Sequence, residues 1–228
     1  MSTRPYQICN HCIMDTSDPN IVFDTRGWCD YCNNFESTIL PSWDAGKKNE
    51  ASLKLLADKI RKEGEGKDFD CIIGVSGGKD SFRQARWVRD FLKLRPLLVS
   101  ISFPPHQITS IGAENLSSLI EDGFDVITSC PAPETWRELM RLSFNKYVNY
   151  GKSTELALFA GVPQIAIDYK IPLILWGENP GLQLGDLKTL GKNGYDGNNL
   201  RNMNTLAGGG MDWIFDAGFE SKDLIPYM

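Results

Sequence analysis

Apolar positions along this chain recur with two different periods, and the period switches repeatedly. Short apolar runs at Cys71 to Val75, Leu97 to Ile101, Asp125 to Thr128 and Leu173 to Trp176 predict strands. Between them the spacing widens to threes and fours. Phe82, Ala85, Val88, Phe91 and Leu92 fall on one face of a helix over 80–92, and residues 110–121 predict another. Trp136, Leu139, Met140, Ser143, Phe144, Tyr147 and Val148 follow an i, i+3, i+4, i+7, i+8 order, which marks an amphipathic helix with its aromatics in the core. Residues 153–170 predict a helix broken at Pro163. Upstream, Leu53, Leu56 and Ile60 predict a helix over 51–62 that ends in the glycine-punctuated KEGEGKD. Strands alternating with helices imply an α/β fold, a doubly wound, Rossmann-like parallel sheet with right-handed crossovers. Ligands of such sheets bind at the carboxyl ends of the strands.

The first 45 residues break this rhythm. They hold one short apolar run, Ile21 to Phe23, a turn at Thr25-Arg26-Gly27, and four of the six cysteines. A polar stretch, DAGKKNE, follows as a linker. The chain is therefore expected to comprise a small metal-binding module over 1–45 and an α/β domain over 46–228. Beyond about residue 180 the pattern gives way to a segment rich in glycine and asparagine, and no internal repeat appears.

Composition narrows the possibilities only slightly. With 42% apolar and 11% aromatic residues the chain has ample material for a core. A net charge of −5 argues against general binding to nucleic acid or membrane surfaces. No apolar run is long enough to span a bilayer or to serve as a signal peptide, so a cytoplasmic location is the expectation.

Two strand ends carry the polar and glycine-rich residues. At the first, VSGGKDS occupies Val75 to Ser81 and passes straight into a helix. Gly77 and Gly78 permit a tight turn with N–H groups close to a ligand, and the helix start adds unpaired donors and partial positive charge. This is a phosphate cradle, to which Lys79 adds a full charge and Ser76 and Ser81 add hydroxyls. Asp80 would cap the helix or help hold Mg²⁺. A Walker A loop is excluded, because Ile73 stands where its first glycine belongs and Asp80 follows the lysine. No GxGxxG follows the strand either. What remains, SGGxDS after an apolar strand, resembles the PP-loop of the ATP pyrophosphatase superfamily, whose members split ATP into AMP and pyrophosphate.

Cys9 and Cys12 form one CxxC, Cys29 and Cys32 another, with sixteen residues between the pairs. This spacing is that of a structural Zn²⁺ site, closed by four thiolates. His11 lies inside the first pair and is read as a bystander. Cys71 and Cys130 are read as packing residues. Neither CxxC opens a βαβ unit, which argues against a redox pair.

The order of these modules is specific. CNHCIMDTSDPNIVFDTRGWCDYC followed by DFDCIIGVSGGKDS is similar to the N-acetyl sugar amidotransferase family of bacterial surface-polysaccharide biosynthesis. The similarity includes CxMDTxDP at Cys12–Pro19, continues through LRPLLVS at 94–100 and extends more loosely to LWGENP at 175–180. Members of that family convert an acetamido group, on a lipopolysaccharide sugar or a pseudaminic- or legionaminic-type nonulosonic acid, to an acetamidino group. They commonly carry a further C-terminal segment, whereas this chain ends at Met228. The resemblance implies ATP and Mg²⁺ at Ser76, Gly77, Gly78, Lys79, Asp80 and Ser81, with Lys79, Asp80 and Ser81 catalytic. It also implies an O-adenylyl imidate intermediate that ammonia displaces. No glutaminase nucleophile is apparent, since the only histidines are His11 and His106. The resemblance implies a separate glutaminase resembling that of imidazole glycerol phosphate synthase, with a cyclase-like subunit as conduit.

At the second strand end Gly177 and Glu178 are assigned to the nucleotide, and Asn179 to the substrate amide; a capped turn before Pro180 explains the same residues. Arg201 would meet a sugar carboxylate, or is a surface arginine. Asp186 is a Mg²⁺ candidate, or a solvated loop residue. Ser153, Thr154 and Glu155 open a helix beside the presumed site, and N-capping alone accounts for them. Two rival functions remain. A PP-loop tRNA-modifying thiolase also combines a zinc module with SGGxDS, but the chain lacks a basic stripe for RNA. A zinc-ribbon adaptor with a degenerate nucleotide fold would not need an intact SGGKDS.

Overall fold

The structure is a computed structural model in which residues 4–42, 47–177 and 210–228 are described. By its internal contacts the chain forms two compact units, residues 1–54 and 55–228. The larger unit is built on four parallel strands: β1 (Cys71–Gly74), β2 (Pro96–Ile101), β3 (Val126–Ser129) and β4 (Ile174–Leu175). Their spatial order is β3-β2-β1-β4. All four fall where the apolar runs predict them. Strand β1 is central and buried on both sides, pairing with β2 from Cys71 opposite Pro96 and with β4 from Ile72 opposite Ile174.

Alternate residues of the sheet feed two separate cores, as the period-2 geometry of strands requires. Cys71, Ile73, Val75 and Leu98 pack with Ala85, Val88 and Leu119. Those partners come from α4 (Lys79–Arg86), its wide-turn continuation Trp87–Phe91, and α5 (Ser110–Glu121). Ile72, Leu97 and Val99 pack instead with Val162 and Ala166 of α7 (Gly151–Asp168). Helices thus cover both faces, and the sheet is doubly wound. Helix α6 (Pro133–Tyr147) joins α7 and the C-terminal residues Trp213, Ile214, Leu224 and Tyr227 in a third cluster. Trp136 belongs to this cluster, edge-on to Phe103.

Three features of the larger unit depart from the sequence expectation. Phe144 and Tyr147 of α6, expected in the core, are 51% and 40% exposed. Helix α7 starts at Gly151 and passes through Pro163 unbroken. The hydrogen bond that Pro163 cannot donate is offset by burial of Leu156, Ala157, Val162 and Ala166 on either side of it. Cys130 is exposed and donates to the Phe103 carbonyl at 3.4 Å, so it is no packing residue. Cys71 is fully buried, and that burial together with Asp70 pushes its thiol up to about 12.

In the smaller unit the described residues form α1 (Asp30–Asn34), a wide-turn segment Phe35–Ile39 and α2 (Leu40–Ser42). The run from Ile21 to Phe23 makes no strand, only an isolated antiparallel bridge between Phe23 and Cys29. Gly27 makes the expected turn, with a φ of +76°. Helix α3 (Lys47–Glu63) spans the boundary between the units, and its Ala57 and Ile60 pack into the first core.

One polar pair fastens the amino ends of β1 and β2. The Asp70 carboxylate, 1% exposed, accepts from Arg95 Nη2 at 2.8 Å, from Nε at 3.1 Å and from the Arg95 backbone N–H at 2.8 Å. Asp70→Ala removes the acceptor of that N–H and unpins the guanidinium. Urea denaturation should show a loss of about 2–3 kcal/mol.

Candidate nucleotide and metal sites

Two sites emerge from the residues that the sequence singles out, one in each unit. The first begins where β1 ends. Val75 still donates to Val99, but the next residues leave the sheet. Gly77 has a φ of +80°, which an L side chain rarely adopts. It is also wedged against α5, since a Cβ there would lie 3.2 Å from the Asn115 carbonyl carbon and the Leu116 nitrogen. Only glycine satisfies both constraints. Gly78 then stands extended at the N-cap of α4, and no side chain caps the helix. Among the described residues no side chain, Asp80 included, accepts from the first-turn N–H groups, which leaves them available to a ligand.

The two hydroxyls of the loop play unequal parts. Ser76 Oγ accepts from the Gly78 N–H at 3.3 Å, so its own proton remains available to donate. Ser81 Oγ donates to the Gly78 carbonyl at 3.0 Å and offers a ligand its lone pairs. Lys79 and Asp80 are exposed, and neither side chain is ion-paired among the described residues. Open helix N–H groups, a free lysine and two hydroxyls make an anion cradle. A free carboxylate at the same turn fits a hard cation such as Mg²⁺ beside the anion.

The cradle lies at the topological switch point. From β1 the chain crosses by α4 to β2 on one side, while β4 pairs on the other, and the strand order reverses between them. Gly177, two residues past β4, abuts α4, where an added Cβ would stand 2.8 Å from Gln84 Oε1. The structure therefore brings Gly177 to the loop's helix. Glu178, Asn179, Asp186 and Arg201 lie outside the described residues.

The start of α7, read from sequence as mere capping, is different in kind. Asn149 Oδ1 takes the Gly151 N–H at 2.9 Å, ahead of Ser153, Thr154 and Glu155, so those three do not cap the helix. Lys152 and Ser153 are each 2% exposed. Burial pushes the Lys152 amine down, and its Nζ lies 4.8 Å over the Tyr147 ring. Sequence reasoning missed Lys152. The signal available was a lysine inside an otherwise apolar helical run.

The second site is the cysteine cluster. One sulfur from each of Cys9, Cys12, Cys29 and Cys32 lies within 4.8 Å of the others. The Cys9–Cys32 and Cys12–Cys29 sulfurs are 3.9 and 3.7 Å apart. A tetrahedral ion with metal–sulfur bonds of about 2.3 Å sets its sulfurs about 3.8 Å apart, so the cage fits one ion. Backbone N–H groups of His11 and Cys29 point at Cys9 Sγ at 3.3 and 3.2 Å, and that of Met14 at Cys12 Sγ at 3.4 Å. Burial drives the Cys9 thiol up, but those N–H groups outweigh it and bring it down to about 6, which favours the thiolate a metal requires. His11 stacks on Trp28 at 3.9 Å and faces Glu36, consistent with a bystander.

No protein-family model matches the chain, and a search of curated proteins returns no match. Among solved structures the chain is similar to the NH3-dependent NAD synthetase of Campylobacter jejuni, at 16% identity and a TM-score of 0.42, covering 60% of each chain. It is also similar to the NMN synthetase of Francisella tularensis, at 18% identity and 0.43, covering 63% of this chain and 60% of that one. A third is the U34-tRNA thiolase NcsA of Methanococcus maripaludis with its [4Fe-4S] cluster, at 19% and 0.36, covering 65% and 55%. The chain spans 55–60% of their lengths. The α/β class itself rests on the strand order and the glycine loop.

Gly77→Ala should cost about 1–3 kcal/mol, because it forces a Cβ into the left-handed region and against α5. Thermal unfolding of the variant beside Gly78→Ala, which has no positive φ to sustain, checks the difference.

Proposed function

We propose that this protein is an ATP-dependent amidotransferase that forms AMP and pyrophosphate while converting the N-acetyl group of a bacterial surface sugar into an acetamidino group. The observation that carries the reading is the uncapped start of α4 beneath Gly77 and Gly78, with Lys79 unpaired, at the switch point. The sugar is supported by the similarity of the cysteine unit and CxMDTxDP, followed by SGGKDS, to N-acetyl sugar amidotransferases.

The chemistry needs activation, because an amide oxygen is a poor leaving group. Attack of that oxygen on the α-phosphorus of ATP breaks the bond to the β-phosphate bridging oxygen and releases pyrophosphate. Ammonia then adds to the imidate carbon, sheds a proton, and AMP departs with the original amide oxygen. Negative charge grows on the departing pyrophosphate in the first step. The loop N–H groups, Lys79 and Ser76 are placed to take it. Asp80 would hold Mg²⁺, which supplies further neutralisation of the phosphates when bound.

The cysteine centre is read as structural zinc, and ammonia as the product of a partner glutaminase resembling that of imidazole glycerol phosphate synthase, with a cyclase-like conduit. A cytoplasmic location belongs to the same proposal, since that is where a bacterial enzyme would meet ATP. Among the described residues no helix is long and apolar enough to cross a membrane.

Incubation with Mg·ATP, ammonium and a panel of N-acetylated sugars should yield AMP and a product about one dalton lighter by mass spectrometry, as O gives way to NH. Formation of ADP would refute adenylation, and tight, salt-sensitive binding of tRNA would favour a thiolase instead. Lys79→Ala should lower the rate of AMP formation by about 10²–10³-fold. Elemental analysis should find one zinc per chain, lost together with folding of residues 1–54 in Cys12→Ala. A brown, iron-containing protein would overturn the zinc reading.

A further inference from the structure

The first two turns of α7 bury polar atoms that nothing satisfies. Among the described residues, Ser153 Oγ and Glu155 Oε2 are buried and have no hydrogen-bond partner. An unpaired buried hydroxyl or carboxylate oxygen is costly, and completion by a ligand is one reason for a native structure to retain it. The other such atoms, Trp136 Nε1, Trp213 Nε1 and Tyr227 OH, are single polar atoms on aromatic side chains of the third cluster. Their place in the fold indicates which ligand.

Helix α7 runs antiparallel to the strands, so its first turns lie at the carboxyl end of the sheet. Val162 packs over Gly74, its Cγ2 lying 3.1 Å from where a Cβ would stand on that glycine. Phe159 lies 5.7 Å from the Trp176 ring just past β4. Glu155, Phe159 and Val162 share one stripe of the helix at i, i+4, i+7. Glu155 is therefore about 10 Å further along the axis than Val162, carried past the ends of β1 and β4 to the level of the glycine loop. Ser153 continues the neighbouring stripe, above Gly161 and the end of β2.

We infer that Glu155, assisted by Ser153, forms the subsite for the ammonia nucleophile. The assignment rests on the proposed amidotransferase reaction. A carboxylate oxygen without a donor is suited to an N–H-rich neutral ligand that becomes cationic as it reacts. As the ammonia nitrogen bonds to the imidate carbon it gains positive charge, and one of its protons passes to Glu155. The carbon–oxygen bond to AMP then breaks, its electron pair remaining on the phosphate oxygen. The pyrophosphate side of the reaction lies across the crevice, on α4.

The test compares Glu155→Gln and Glu155→Leu with the wild-type chain, using ammonium chloride and whichever N-acetylated sugar supports AMP formation. Amidine formed per pyrophosphate released should fall about 10²-fold in Glu155→Gln, with a raised KM for ammonium and an unaltered KM for the sugar. Hydroxylamine, already nucleophilic in neutral solution, should recover much of the lost coupling. Glu155→Leu should raise Tm by about 2–4 °C, since it removes an unsatisfied buried oxygen. A lower Tm in Glu155→Leu would show that the carboxylate holds the fold, and would overturn the subsite. So would an unchanged KM for ammonium, or a raised KM for the sugar, in Glu155→Gln. If the wild-type chain releases no pyrophosphate with any acetylated sugar, the proposed reaction itself fails; normal wild-type turnover with unaltered Glu155→Gln coupling refutes the subsite alone.

Discussion

The anion cradle depends on a single backbone inversion. Gly77, at a φ of +80°, turns the chain out of β1 while pressed against the peptide between Asn115 and Leu116. That contact fixes the loop to α5, a helix on the same face of the sheet as α4. The loop is consequently braced by the core formed by Ala85, Val88 and Leu119 rather than standing free in solvent. Preorganised donors are effective because they need not reorient when charge develops. The inversion converts an ordinary strand–helix junction into such a set.

Much of this was legible because the relevant constraints are local. Four apolar runs became four strands, and SGGKDS sits on the predicted strand–turn–helix junction. Two cysteine pairs meet as their spacing requires. The misreadings came where tertiary packing overrides local preference. Pro163 breaks isolated helices, yet here both of its flanks are held in buried clusters. Ser153 is a strong N-cap former, and only the fold reveals that Asn149 already takes the first N–H, leaving the serine buried. Cys130 resembles any strand-end cysteine until the edge position of β3 exposes it.

The smaller unit follows a different economy. Its buried core consists of Ile21 with Cys9, Cys29 and Cys32, while Ile13 and Val22 remain exposed. One fully buried aliphatic side chain cannot hold some fifty residues together, since small domains bury too little surface to offset chain entropy. The thiolates have to supply what the apolar core does not. With a metal held by these four sulfurs, its binding and the folding of this unit would be one equilibrium.

The two ends of the larger unit's sheet treat polar groups in opposite ways. At the amino end the buried Asp70 carboxylate is satisfied three times over by Arg95. At the carboxyl end, among the described residues, α4 begins without a side-chain cap, Lys79 has no ion pair, and Ser153 and Glu155 bury oxygens without partners. A protein that merely had to fold would gain stability by pairing or replacing those groups, as it has done with Asp70. Among the described residues these groups lie on two helices that flank the same switch point, an arrangement suited to binding. The donors on α4 suit an anion and the acceptor on α7 suits a nitrogen nucleophile, which is the polarity that the proposed adenylylated amide would require.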